Sequence, residues 1–155
     1  MRAVLIKPLE DGDIEKMKQT IRDIDRLEVK AMLGENLDNA LHITAQISFR
    51  AKAGYYEDAL VAIWGIGSRT PLSREGNPWL LATTEMDRPE VRKAFLKHCR
   101  EEFDALVDGY HYCWNYVHAR NRTAIRWLKW LGFEFMNDET LVDGEPFRFF
   151  KKEYA

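Results

Sequence analysis

Residues 111–135, read HYCWNYVHARNRTAIRWLKWLGFEF, constrain the fold of this chain more than any other segment. From 111 to 118, Tyr112, Trp114, Tyr116 and His118 alternate with Cys113, Asn115 and Val117, the period of two that a β-strand imposes. Asn121 then offers a helix N-cap, and Ala124, Ile125, Leu128 and Leu131 point one way at helical spacing. Gly132 supplies a left-handed stop, and residues 133–136 begin another strand. A strand, a helix and a strand in so few residues indicate a layered α/β domain in which the helix packs on a sheet.

The remaining sequence extends that reading. Residues 2–6 (RAVLI) suit a first strand. Asp11-Gly12-Asp13 offers a cap, and Ile14, Met17, Ile21 and Ile24 follow at helical spacing, which predicts helices near 13–21 and 23–33, the second ending at Gly34. Residues 36–48 carry a third helical period. The period then changes: 49–54 and 58–67 read as a hairpin around Gly54-Tyr55-Tyr56-Glu57-Asp58, 69–78 as a loop, and 79–84 as the next strand. Asp87 as N-cap and Pro89 in the first turn open a helix with the stripe Val91, Phe95, Cys99, Phe103 and Leu106, closed by Gly109. A last hairpin joins 133–136 to 146–151 around Val142-Asp143-Gly144-Glu145.

Composition sets limits. The 155 residues fit one domain spanning 1–155, and the apolar fraction of 46% with 31% charged residues is that of a globular protein. No run approaches the roughly 18 apolar residues of a membrane span, and the apolar run before Lys7-Pro8 is short for a leader peptide, so the cytoplasm of the cell that makes the chain is the expected location. Cys99 and Cys113 read as reduced core thiols, and together with His98 and His111 they match no recurrent zinc spacing, so no metal is expected. A net charge of −2 gives no general attraction to nucleic acid. Arg122, Arg126 and Lys129, flanked by Trp127 and Trp130, read as a protein-contact surface in preference to a nucleic-acid one.

The spacing Asn121-x-x-Ala124-x-x-Trp127-Leu128-x-x-Leu131-Gly132-Phe133 resembles that of the GNAT N-acetyltransferase superfamily, where Asn-x-x-Ala-x-x-Leu-Tyr-x-x-x-Gly-Phe leads into the sixth strand. Trp114-Asn115-Tyr116-Val117 and Ile125-Arg126-x-Leu128-Lys129 are similar to the GNAT-like internal virion proteins of short-tailed, T-seven-type bacteriophages. The resemblance implies a single α/β (α+β) domain with a central mixed, mostly antiparallel sheet flanked by helices. It also implies acetyl-CoA as cofactor, an amine as acceptor, and phage virion proteins as partners for a chain packaged in the particle.

Direct acetyl transfer needs backbone N–H groups at a helix N-terminus to hold the pyrophosphate, a base for the amine, and an acid for the departing thiolate. The family's phosphate loop is Arg/Gln-x-x-Gly-x-Gly/Ala, whereas this chain reads Glu85-Met86-Asp87-Arg88-Pro89-Glu90-Val91-Arg92. Both glycines are absent, Pro89 removes an N–H, and Asp87 and Glu90 add negative charge. Arg88 and Arg92 are the candidate anion-binding cations, against a reading as solvated charges. Leu128 stands at the usual tyrosine, leaving Tyr116 as a substitute acid or a core aromatic. Glu85 and His118 are the candidate bases, against a solvated carboxylate and a structural histidine. Asn121 is a contact for the pantetheine arm or simply the N-cap. Gly65-Ile66-Gly67 ends a hairpin strand with no helix after it and is a decoy. Two functions follow from the resemblance: an acetyl-CoA-dependent N-acetyltransferase with a degenerate loop, or a non-enzymatic internal virion or assembly protein that keeps the fold as a scaffold.

Overall fold

The N-terminal helical periods become α1 (Asp11–Thr20), α2 (Asp23–Leu33) and α3 (Leu37–Gln46), inserted between strands β1 (Val4–Pro8) and β2 (Ser48–Tyr56). The structure is a computed structural model and describes residues 4–34, 36–70 and 72–154; Arg2 and Ala3 of the expected first strand lie outside them. Helix α1 starts earlier than its apolar spacing suggests, because Glu10 and Asp13 form a capping box, with the Glu10 N–H donating to Asp13 Oδ2 at 2.9 Å. Asp13 is buried, yet Lys7 reaches its Oδ2 at 2.6 Å and the Tyr55 hydroxyl donates to its Oδ1, so the charge is paired. Helix α2 stops at Gly34, whose φ of 66° is left-handed, and Asn36 caps α3 by accepting from Asn39 N at 3.0 Å.

Strands β3 (Ala59–Gly67), β4 (Glu75–Ala82), β5 (Tyr112–His118), β6 (Glu134–Val142) and β7 (Glu145–Glu153) complete a seven-stranded sheet ordered β1-β2-β3-β4-β5-β7-β6. Every pairing is antiparallel except β4 with β5, which run parallel and meet only at Glu75↔Tyr112 and Gly76↔Cys113. Two separate cores form. Ile14, Met17, Val29 and Leu41 of α1–α3 pack on Ala53, Tyr55, Leu60 and Ile63 of the sheet. Helices α4 (Pro89–Val107) and α5 (Arg122–Trp130) bury Val91, Phe95, Phe103, Ile125 and Leu128 against Val61, Trp64, Val117 and Phe150. The fold class expected from the sequence is the one observed.

Three local expectations need correction. The strand foreseen at 79–84 begins at Glu75 and runs through Pro78, which pairs with Ile66. A proline normally ends a strand, but the β5 side of β4 has already separated at this point, so its missing N–H removes no ladder bond. Asp87 is not the cap of α4: it closes a single 3-10 turn, Thr84–Asp87, and Arg88 occupies the N-cap with Pro89 at the first position. Finally, β6 extends to Val142 and the closing turn is Asp143-Gly144, both with positive φ (51° and 78°), as a two-residue hairpin demands.

Helix α4 docks by laying Phe95 on Gly54. A Cβ built at Gly54 would lie 2.6 Å from Phe95 Cε1, 2.8 Å from Cζ and 3.0 Å from a Trp64 ring carbon. Both rings are buried, so neither can swing into solvent. Gly54→Ala is therefore expected to lower stability in urea denaturation by about 1–3 kcal/mol through overpacking. An unchanged midpoint would mean that α4 lifts off the sheet without penalty.

Candidate functional site

The one break in the sheet is the divergence of β4 and β5 beyond Gly76 and Cys113. Just past it, side-chain amides replace the ladder: Asn77 Nδ2 donates to Trp114 O at 3.0 Å and Asn115 Nδ2 to Pro78 O at 2.9 Å. Farther on the two strand ends are spanned by α2. Its start is tied to β4, with Arg22 N donating to Ala82 O at 3.0 Å and Ile21 bridging Thr83. The Arg22 guanidinium pairs with the buried Asp25 at 2.6 Å. One turn later, Glu28 Oε1 accepts from the backbone N–H of His118 at 3.2 Å and from Asn121 Nδ2 at 2.7 Å. Helix α2 thus bridges the gap, its first turn on β4 and its second on the end of β5.

Glu28 is the residue of this candidate site that sequence reasoning missed. Although part of the side chain stays accessible, its carboxyl is pushed up to about 7, first by burial and next by Asp25, against the hydrogen bonds from Asn121 and His118 that favour the anion. A raised carboxyl takes up a proton on folding between its ordinary value of 4.5 and about 7. Stability is therefore fully present at the acid end of that window and falls as pH rises through it. Glu28→Gln keeps an acceptor for both donors and cannot ionise. It is expected to raise stability above pH 7 by about 1–3 kcal/mol and to flatten the pH dependence of melting across the window. A variant less stable than the wild type at that pH would show that the anion itself holds the two strand ends.

His118 is completely buried, and both ring nitrogens are engaged: Nδ1 accepts from Arg120 N at 3.1 Å, and Nε2 faces Glu145 Oε1 at 2.8 Å. An acceptor at Nδ1 assigns the proton to Nε2, so this tautomer leaves no lone pair for an incoming amine. Asn121 caps α5, its Oδ1 accepting from Ala124 N at 3.3 Å while its amide nitrogen serves Glu28.

The other candidates form a second group. Arg88 sits between Glu85 at 2.8 Å and Glu90 at 2.9 Å. Arg92 Nη1 donates to the carbonyls of Met86 at 3.1 Å and Asp87 at 2.9 Å, closing off the 3-10 turn. Five backbone donors here are also in use. Glu85 N is bound by Thr83 Oγ1, Met86 N by Thr83 O, Arg88 N by Glu85 O, and the N–H groups of Val91 and Arg92 by Arg88 O. Among the described residues no hydrogen bond or ion pair joins Glu85 to His118: Glu28 unites His118 with Asn121, while Glu85, Arg88 and Arg92 make their contacts within the turn after β4.

Tyr116 packs its ring 5.3 Å from Phe149 and 6.2 Å from Trp114, and Leu128 is core. Burial pushes the Cys99 thiol up to about 11 and the Cys113 thiol to about 12, so neither is a ready nucleophile. No group of three metal-ligating side chains gathers among the described residues. Two concavities, of about 310 and 260 Å³, lie away from the divergence, beside Asp104, Tyr110 and Tyr154 and beside Gly132, Glu134 and Lys151. None of the described helices is long and apolar enough to cross a membrane.

The arrangement of these strands and helices recurs in solved structures. The chain superposes on spermidine N-acetyltransferase from Vibrio cholerae, solved with CoA and spermine, at a TM-score of 0.67 and 12% identity, covering 97% of this chain and 95% of that one. The fold is that of the GNAT N-acetyltransferases. Ribosomal-protein-S18-alanine N-acetyltransferase from Escherichia coli matches at a TM-score of 0.65, 16% identity and 99% and 95% coverage. The PaiA N-acetyltransferase from Thermoplasma acidophilum, solved with coenzyme A, matches at 0.60, 15% identity and 98% and 99% coverage. Residues 66–140, from the end of β3 through most of β6, match the family model described as "Bacteriophage T7, probable scaffold protein Gp13", in line with the phage likeness of the sequence. No curated protein matches the chain by sequence.

Proposed function

We infer that this chain is a phage-encoded assembly protein that uses the GNAT fold as a scaffold for protein contacts, without acetyl transfer. One observation carries the reading: the divergence of β4 and β5, where we place the acyl-CoA site of such a fold, is bridged by the chain's own α2, with Glu28 holding Asn121 and the His118 N–H. The turn that follows β4 agrees with it. There, five backbone N–H groups that could face a pyrophosphate donate within the chain, Pro89 offers none, and Glu85 and Glu90 neutralise Arg88. These residues do not fit acetyl-CoA, and no catalytic step is derived through it. The phage family description supports the same reading from an independent direction.

An N-acetyltransferase reading, supported by the CoA complexes among the solved neighbours, would need Glu85 to leave Arg88 or His118 to leave Glu145 before either could act on an amine. The assembly reading is tested by mass spectrometry of purified particles and assembly intermediates of the phage that encodes the chain. It expects the protein in one or both at a fixed ratio to structural proteins. Its absence from both, with the protein free in the infected cell, would overturn the reading.

A further inference from the structure

The outer surface of α4 and α5 is unlike the rest of a chain whose formal charge is −2. On α5, Arg122, Arg126 and Trp130 stand at i, i+4 and i+8, one ridge along the helix, and all three are exposed. No carboxylate occurs anywhere in that helix, although its first turn is where the macrodipole would favour one over Arg122. On α4, Lys93, Leu96, Lys97 and Arg100 form a second exposed ridge. Arg100 joins the two: its Nη2 donates to Trp130 O at 3.0 Å and its guanidinium lies 4.4 Å from the Trp130 ring centroid. Among the described residues none of these five cations has a carboxylate within 4.0 Å, so their charge is not neutralised within the chain as that of Lys7, Lys18, Arg22, Lys52 and Arg88 is; what sets the ridge apart is that five such cations surround exposed apolar side chains. Two large apolar side chains stand half exposed among them, Leu96 at 50% and Trp130 at 49%. Trp127, by contrast, turns inward and packs against the core.

We propose that this double ridge is a docking surface for an acidic, amphipathic segment of another protein, with an apolar side chain seated on Leu96 and Trp130 and carboxylates meeting Lys93, Lys97, Arg100, Arg122 and Arg126. Charge complementarity selects an acidic partner, and the apolar pair selects a protein over a polynucleotide. Leu96 has no counterpart in a phosphate backbone, and one face of Trp130 is covered by Arg100 instead of lying open for a base to stack. Discrete acids beside the ridge, Glu90 and Glu101, would repel a continuous polyanion but leave room for separate carboxylates. An Arg held over a tryptophan ring and hydrogen-bonded to its carbonyl is also ordered in advance, which reduces the entropy lost on binding. The inference extends the assembly reading to a partner class but does not rest on its cofactor argument: CoA binding would overturn that reading and leave this surface as it is.

The test uses the full chain and three fluorescein-labelled probes of equal charge: a helical peptide with leucines along one face and glutamates elsewhere, an oligoglutamate, and a single-stranded oligodeoxynucleotide. The leucine–glutamate peptide is expected to bind most tightly, with an affinity that falls as salt rises. Trp130→Ala, and separately Lys97→Glu with Arg126→Glu, are each expected to weaken it about tenfold while melting stays as in the wild type. Because the two variants alter different parts of one exposed surface, a folding defect in one leaves the other decisive. Equal binding of the oligoglutamate would remove the apolar part of the proposal. Tighter binding of the oligonucleotide would make the ridge a nucleic-acid surface, and no binding of the peptide, or unchanged binding by both variants, would overturn the proposal altogether.

Discussion

Asp25→Ala is expected to destabilise the protein by about 3–5 kcal/mol, among the largest single-residue effects in this fold. The Asp25 side chain is 2% exposed and Arg22 12%, and they meet at 2.6 Å. Removing the carboxylate leaves a guanidinium among protein atoms with no counter-charge in contact, and it also strips the Ala82 backbone of its side-chain partner. The loss is therefore mainly the desolvation of a stranded charge, larger than the worth of the pair itself. A double variant, Arg22→Met with Asp25→Leu, removes both charges and is expected to recover most of the loss. Chemical denaturation of the three proteins decides the matter: a single variant that loses under about 1 kcal/mol would mean that Arg22 swings into solvent and that α2 is not fastened to β4 in this way.

Phe147→Ala is expected to lose a similar amount, about 3–5 kcal/mol, for a different reason. Phe147 is completely buried on β7, in register with His118 and edge-on to its ring at 5.4 Å. Truncation removes apolar area and opens a cavity beside a histidine whose two ring nitrogens are both held, so neighbouring atoms have little freedom to collapse into it. Leu141→Ala on the adjacent β6, at 73% exposure, provides the contrast and is expected to stay within about 0.5 kcal/mol of the wild type. Equal melting losses for the two variants would contradict the burial argument.

The parts of the fold written in local chemistry were legible. Alternation from Tyr112 to His118, the Asn121 cap and the left-handed Gly132, with φ of 99°, are decided within a few residues of themselves, and the strand–helix–strand unit stands as read. Pro78 was misread because what licenses a proline inside β4 is the departure of β5, a strand that begins more than thirty residues later. The contacts among the candidate site residues were not legible in the sequence. Asn121 was open between a cap and a ligand contact; it does cap α5, and its amide nitrogen goes to Glu28, which is 93 residues away. A glutamate in mid-helix reads as a solvated charge, and nothing near position 28 announces that its partners are His118 and Asn121. The nearest available signal was that Asp25, Glu28, Val29 and Met32 share one helical face, which puts two carboxylates beside apolar residues.

The central proposal is that the divergence of β4 and β5, bridged by α2, takes no acyl-CoA, and titration of acetyl-CoA into the purified chain by calorimetry, at low and at moderate salt, tests it most directly. The account expects no heat of binding and no rise in melting temperature even with ligand in large excess. Saturable binding at micromolar concentration, accompanied by thermal stabilisation, would contradict it: α2 would then have to release Asn121 and His118, and the acetyltransferase reading would take precedence.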